Sequence, residues 1–159
     1  LGKDALRYDL ARYPADSPIT IDPELLRSNT NDNPVYYVQY AHARTCNVLR
    51  KGGGAPASYD AALLTLPEEQ AVLRAIARLP VVVQEAAEQL EPSFVARWLL
   101  DLAAEFSRYY TLGNQDRSKR VLVEDNEPVK VARLALTDAT RAALAAGLTL
   151  LGIATPENM

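Results

Sequence analysis

PSFVARWLLDLAAEFSRYYTL, residues 92–112, carries the longest unbroken hydrophobic pattern in the chain. Val95, Leu99, Leu102, Phe106 and Tyr109 recur at steps of three or four, while Arg97, Asp101, Glu105 and Arg108 fall between them. That interval collects the apolar set on one stripe of a 3.6-residue helix and turns the charged set toward water. The stretch is therefore an amphipathic helix whose stripe needs other helices to cover it.

Its neighbours supply them. Just upstream, PEEQAVLRAIARL begins a helix at Pro67, with two glutamates suited to its positive end and Val72, Ile76 and Leu79 on the apolar side. A further helix starts at Pro80 and shows Val83, Ala86 and Leu90 at helical intervals before Pro92 interrupts it. Asn33 before Pro34 is a helix start, because the asparagine oxygen can accept a free backbone N–H and proline at the first turn loses no bond. That helix is predicted to run to about Lys51, where the glycines at 52–54 stop it. Downstream, GNQDRSKRVLVEDNEP reads as a loop, and a last helix over 129–151 presents Leu136, Ala139, Ala143, Gly147 and Leu150. At the other end, residues 2–12 form a short helix, and Pro14, Pro18 and Pro23 mark an extended connector with at most a short strand at Ile19–Ile21. The expected fold is all-α: an antiparallel bundle of five main helices behind a short leading helix and connector. The expected division is residues 1–30 as the end of a preceding region and 31–159 as the bundle.

The totals narrow the function. A chain of 159 residues that is 48% hydrophobic can bury one sizeable core. Its formal charge is -3, so any polyanion partner must meet a local basic face. One cysteine, Cys46, and one histidine, His42, are too few for a structural zinc site, and a single cysteine permits no internal disulfide. That usage fits a cytoplasmic setting. No apolar run approaches the roughly 20 residues of a membrane span, so no membrane is expected as a partner. Opening on Leu1 and closing on Met159, the chain reads as the end piece of a longer protein.

No catalytic constellation is apparent. His42 shares a stripe with Val35, Val38, Thr45 and Leu49, and no serine, cysteine or aspartate is spaced to complete a triad, so a packed histidine is expected. Cys46, one turn on, takes the same structural reading. The carboxylate pairs lie near helix starts and on polar faces, and the triple glycine lacks the lysine of a phosphate loop. Tyr36, Tyr40 and Arg44, at four-residue spacing, are different: two rings and a guanidinium in one column. Unpaired RNA bases stack on such groups. Arg108, Tyr109 and Tyr110, followed by Arg117, Lys119 and Arg120, form a second aromatic and basic cluster. Pattern alone favours tyrosines that simply pack, with hydroxyls at the rim. It also allows a helical protein-interaction module that uses them as anchors.

NPVYYVQYAHAR closely resembles the start of the anticodon-binding (DALR) domain of the arginyl-tRNA synthetase family of class I synthetases. PVVVQEAAEQLEPSFVARWLLDLAAEFSRYY is similar to that family's central helices, and RLALTDATRAALAAGLTLLGIATPENM to its last helix and tail. LGKDALRYDL resembles the segment after the signature lysine loop. The resemblance implies a parent enzyme that joins arginine to its tRNA using ATP and Mg, with this fragment gripping the anticodon of tRNA-Arg. The HIGH-like and KMSK-like motifs are absent here, so no catalytic residue, cofactor or metal is expected in the fragment, which alone is expected to be inactive. Implied partners are tRNA-Arg and the N-terminal and catalytic domains of the parent chain, itself expected to be a monomer. Carried over by motif, Tyr40 and Arg44 of YAHAR face RNA, and Tyr109 of FSRYY and Met159 lie near the splayed bases; Tyr36 and Arg108 complete the expected tRNA-binding set. Two departures stand out: Asn158 where the closing motif usually has arginine, and Gly113 where some relatives carry tryptophan.

Overall fold

The computed structural model describes residues 2–159. Among them are seven α-helices: α1 (Lys3–Ala11), α2 (Pro23–Arg27), α3 (Pro34–Gly52), α4 (Pro67–Ala77), α5 (Leu79–Glu88), α6 (Ser93–Gln115) and α7 (Glu127–Leu150). Single 3-10 turns stand at Ala61–Leu63 and Arg117–Lys119, and no strand occurs among the described residues. None of these helices is long and apolar enough to cross a membrane.

α6 is the axis of the bundle, touching α1, α3, α4, α5 and α7. The stripe expected for it is buried throughout: Leu99, Leu102, Phe106 and Tyr109 are fully enclosed and Val95 nearly so. Directional bonds fix its neighbours. Trp98 Nε1 donates to the Ala75 carbonyl of α4 at 2.7 Å, and Tyr8 Oη of α1 donates to the Ala96 carbonyl at 2.6 Å. Against α7 the approach is close. A methyl group at Gly147 would stand 2.7 Å from Leu99 Cδ2 and 2.8 Å from Trp98 Cζ3, so only glycine admits this contact.

Several local expectations need correction. The Ile19–Ile21 stretch forms no strand; both isoleucines are exposed, and the one-turn helix α2 follows, capped by Asp22 Oδ1 on the N–H groups of Glu24 and Leu25. Asn33 does begin α3, but its side chain does not cap it. The amide Nδ2 instead donates to the Ser28 carbonyl at 2.8 Å and the Leu26 carbonyl at 3.3 Å, stitching α2 to α3. On α5 the buried residue is Val82, whereas Leu90, at φ 54° beyond the helix end, is 85% exposed. On α7, Leu136, Ala143 and Gly147 are buried, but Ala139 and Leu150 face solvent. Thr137, Thr140, Leu144 and Leu148 take the core instead. The glycine stop after α3 is as expected: Gly53 sits at φ 90° and the Gly54 N–H bonds back to the Leu49 carbonyl at 2.8 Å.

A buried ion pair, not signalled by any sequence pattern, locks the far side of the bundle. Arg133 Nε of α7 donates to Glu69 Oε1 of α4 at 2.7 Å, with both side chains out of solvent. Glu69 Oε2 also accepts the Leu66 N–H at 2.9 Å, and Arg133 Nη1 donates to the carbonyls of Ser118 and Arg120 at 2.7 and 2.8 Å. Each charge thus gains several partners to offset its desolvation, and the loop between α6 and α7 is held down in the process. Within that loop Asp116 Oδ1 accepts the Ser118 N–H at 2.9 Å and its hydroxyl at 2.7 Å, bonds that hold the carboxyl below its ordinary range.

Tyr8 and Leu26 belong to the same core as α3 and α6. The segment before residue 30 therefore packs on the bundle and does not trail from it.

Candidate nucleic-acid interface

The column predicted on α3 exists and is longer than expected. Tyr36 and Tyr40 stack with centroids 5.9 Å apart and planes within 9°. The Arg44 guanidinium carbon lies 4.6 Å from the Tyr40 ring centroid and 4.8 Å from that of Tyr110, which comes from α6. Ring, ring, guanidinium and ring thus form one continuous stack across two helices. A guanidinium held between two phenol faces gains cation–π attraction on both sides while its N–H edge stays available to acceptors.

This stack borders an open cavity of about 280 Å3 lined by Tyr40, Ala43, Arg44, Asn47, Tyr110 and the tail residues Glu157–Met159. The tail reaches it by way of hydrogen bonds to side chains of α1 and α3. Arg7 Nη1 donates to the Gly152 carbonyl at 2.8 Å, and Gln39 Nε2 donates to the Ala154 carbonyl at 3.0 Å. Asp4 Oδ2 accepts from both Gln39 Nε2 and the Ala154 N–H, at 3.0 and 3.2 Å. Nearest the cavity, His42 Nδ1 donates to the Pro156 carbonyl at 2.9 Å, which fixes the tautomer. With Ile153 buried as an apolar anchor, Met159 is delivered to the rim, 53% exposed.

His42 is therefore packed, as its stripe implied, and serves as a strut for the tail. Burial pushes the Cys46 thiol up, with Glu157 adding to the effect, so this cysteine is not an activated nucleophile. Among the described residues no group of His, Cys, Asp and Glu side chains is gathered so as to hold a metal. What the arrangement can do chemically is to stack flat groups and donate hydrogen bonds.

Of the six residues expected to face RNA, Tyr40, Arg44 and Met159 line one cavity. Tyr36 extends the stack from outside it. Arg108 is exposed and paired with Glu105 at 2.8 Å; it does not line the cavity, because residues two apart on a helix do not share a face. Tyr109 is corrected outright. It is wholly buried beside Phe106, at 6.3 Å in an edge arrangement, and no base can reach its ring. Burial first, and the nearby Glu69 carboxylate second, push its phenol far above the usual tyrosine range, yet its hydroxyl meets no partner at hydrogen-bonding geometry. The next residue, Tyr110, is the ring that faces Arg44. Tyr110, expected only as part of the second aromatic and basic cluster, and Asn47, outside the expected tRNA-binding set, also line the cavity, and a signal for the first is present in the sequence. The apolar stripe of α6 already claims Tyr109, which turns the adjacent tyrosine about 100° toward α3.

The chain is 49% identical to arginine–tRNA ligase of Micrococcus luteus and 43% identical to that of Bordetella petrii, over its whole length in both cases. It spans only 30% and 28% of those proteins. Its structure superposes on arginyl-tRNA synthetase of Thermus thermophilus with a TM-score of 0.84 at 32% identity, covering 98% of this chain and 26% of that one. Residues 38–159, from the middle of the aromatic column to Met159, match the DALR anticodon binding domain, and the chain belongs to that family.

Proposed function

We propose that this chain is the anticodon-binding part of an arginine–tRNA ligase and that the Tyr40–Arg44–Tyr110 stack receives an unpaired anticodon base of tRNA-Arg. The observation that carries this reading is a set of ring and guanidinium planes opening into a polar cavity under the tail. Single-stranded bases are bound by stacking on such planes, at roughly 1–3 kcal/mol per base, and read by donors at their edges. Arg44 can supply those donors, being limited to donation and therefore selective for a base edge with adjacent acceptors. Met159 closes one side with an apolar, polarizable contact.

In the parent enzyme, ATP, Mg and arginine are handled by the catalytic region, and the present residues contribute grip and register. The protein works in the cytoplasm as a monomer on this reading. The test is a binding titration of the intact protein with a tRNA-Arg transcript, set against transcripts with one anticodon base altered. Anticodon changes should weaken binding, and affinity should fall steeply with salt as counterions are displaced. Equal affinity for all transcripts would refute the reading.

A further inference from the structure

The tail that closes the cavity has little of its own to hold it in place. Gly152, in the left-handed region at φ 66°, turns the chain out of α7, and the Ile153 N–H makes the last backbone bond, to the Leu148 carbonyl at 2.9 Å. Beyond Ile153, every hydrogen bond of the tail among the described residues is to a side chain of α1 or α3. We infer that Asp4 and Arg7 of α1 are positioning residues for RNA binding: neither lines the cavity, and both act by holding the tail so that Glu157–Met159 reach its rim. The inference rests on the RNA-binding reading above and extends the site to a helix that the sequence assigns to a preceding region.

Both side chains are committed to the tail. A carboxylate in the first turn of a helix ordinarily serves that helix's own N–H groups. Asp4 stands in the first turn of α1, yet its Oδ2 accepts from Gln39 Nε2 at 3.0 Å and from the Ala154 N–H at 3.2 Å. Gln39 Nε2 donates in turn to the Ala154 carbonyl at 3.0 Å, so one carboxylate both meets the tail and aims the amide that meets it. Arg7 is exposed and forms no ion pair among the described residues; its Nη1 donates to the Gly152 carbonyl at 2.8 Å. With a charge at one end, the Asp4 and Arg7 bonds are of the stronger kind. A methyl group at Gly152 would collide with Arg7 Nη1, so glycine is needed for this contact as well as for the turn.

The support is rigid. Tyr8, on the inner face of α1, is fully enclosed and bonded to the Ala96 carbonyl of α6, so Asp4 and Arg7 are carried at a fixed place on the bundle. Past Ala154 the one remaining tether among the described residues is His42 at Pro156. A slack upstream end would therefore let residues 157–159 leave the cavity beside Arg44. The linkage is reciprocal: RNA held against a docked tail must strengthen the Asp4 and Arg7 contacts in return.

The test pairs affinity with hydrogen exchange. The intact protein and its Arg7→Met, Arg7→Lys, Asp4→Ala and Gly152→Ala variants are titrated with an anticodon stem-loop RNA, with Tyr40→Ala as the control for the stack. Amide exchange is followed on the same proteins by mass spectrometry. Arg7→Met and Asp4→Ala should each weaken RNA binding roughly threefold to tenfold, as for one or two lost hydrogen bonds. Arg7→Lys keeps a charged donor and should recover most of that loss, whereas Gly152→Ala, which breaks the Arg7 contact from the tail side, should reproduce it. Exchange should quicken in the peptide spanning residues 152–159 and stay unchanged in α6, and RNA should slow it in the parent protein. A merely structural role would raise exchange across the bundle instead, and that result overturns the inference. Unchanged tail exchange overturns it too, as does faster tail exchange without loss of affinity. If the α1 variants bind like the parent while Tyr40→Ala still weakens binding, the positioning role is refuted and the stack survives. Loss of the Tyr40→Ala effect overturns both readings.

Discussion

Adjacent tyrosines at 109 and 110 offer a sharp test, because the structure assigns them opposite roles. Tyr109 has no exposure and packs against Phe106, so Tyr109→Ala should cost about 3–5 kcal/mol of stability, as large-to-small changes of buried aromatics do. For a chain of 159 residues that corresponds to a fall of roughly 6–20 °C in melting temperature. Tyr109→Phe removes only a buried hydroxyl without a partner, and should leave stability equal or raised by up to about 1–3 kcal/mol. Neither change should alter RNA affinity once the protein is folded. Tyr110→Ala is the converse: it removes one face of the Arg44 sandwich, about 0.5–1 kcal/mol of cation–π attraction, and leaves the core of α6 in place. Its main effect should be on the ligand, a loss of about 1–3 kcal/mol, or roughly fivefold to 150-fold in affinity. Thermal melts followed by circular dichroism give the stabilities, and fluorescence anisotropy with labelled anticodon stem-loop RNA gives the affinities. Weakened binding in Tyr109→Phe together with unchanged binding in Tyr110→Ala would show that the ring assignment is wrong.

Other consequences are as direct. Arg133→Met leaves Glu69 buried without its cation and frees the loop carbonyls at 118 and 120; denaturant unfolding should show a loss of about 3–5 kcal/mol. His42→Leu removes the strut to Pro156, so RNA affinity should fall while the melting temperature moves by only a few degrees, and an unaltered affinity would deny the tail its part in the cavity. Tyr8 and Tyr109 both have phenols raised far above the usual value by burial. The folded state therefore keeps protons that the unfolded chain releases, and the stability these groups contribute is present below about pH 10 and lost as pH rises beyond it. Unfolding midpoints should fall steeply on the alkaline side, less so in Tyr109→Phe.

The helical architecture was legible because it depends on periodicity, which is local. The α6 stripe, the Pro34 start and the glycine stop are each written within one or two turns of chain. Register at helix ends was less so: Leu90 fits a helical interval but lies past the last turn of α5, where nothing covers it. The Arg133–Glu69 pair could not be read at all, since its partners are 64 positions apart and each alone resembles an ordinary surface charge. At the interface, the α3 column followed from spacing, whereas Met159 was suggested only by family resemblance. Tyr109 belongs both to the aromatic and basic cluster and to the FSRYY motif, yet its phase on α6 turns it inward. The residue's own place in the apolar stripe had already pointed inward.

The tail's moorings set the order in which the binding surface can be made. Its hydrogen bonds run from residues 152, 154 and 156 back to side chains at 4, 7, 39 and 42, separations of 114 to 150 positions. A chain emerging from the ribosome folds its early segments first, and contacts of such long sequence separation close late. The bundle can therefore collapse around α6 before residues 151–159 dock. The cavity beside Arg44 is completed only when the tail has docked, so a chain lacking residues 151–159 would be compact without it.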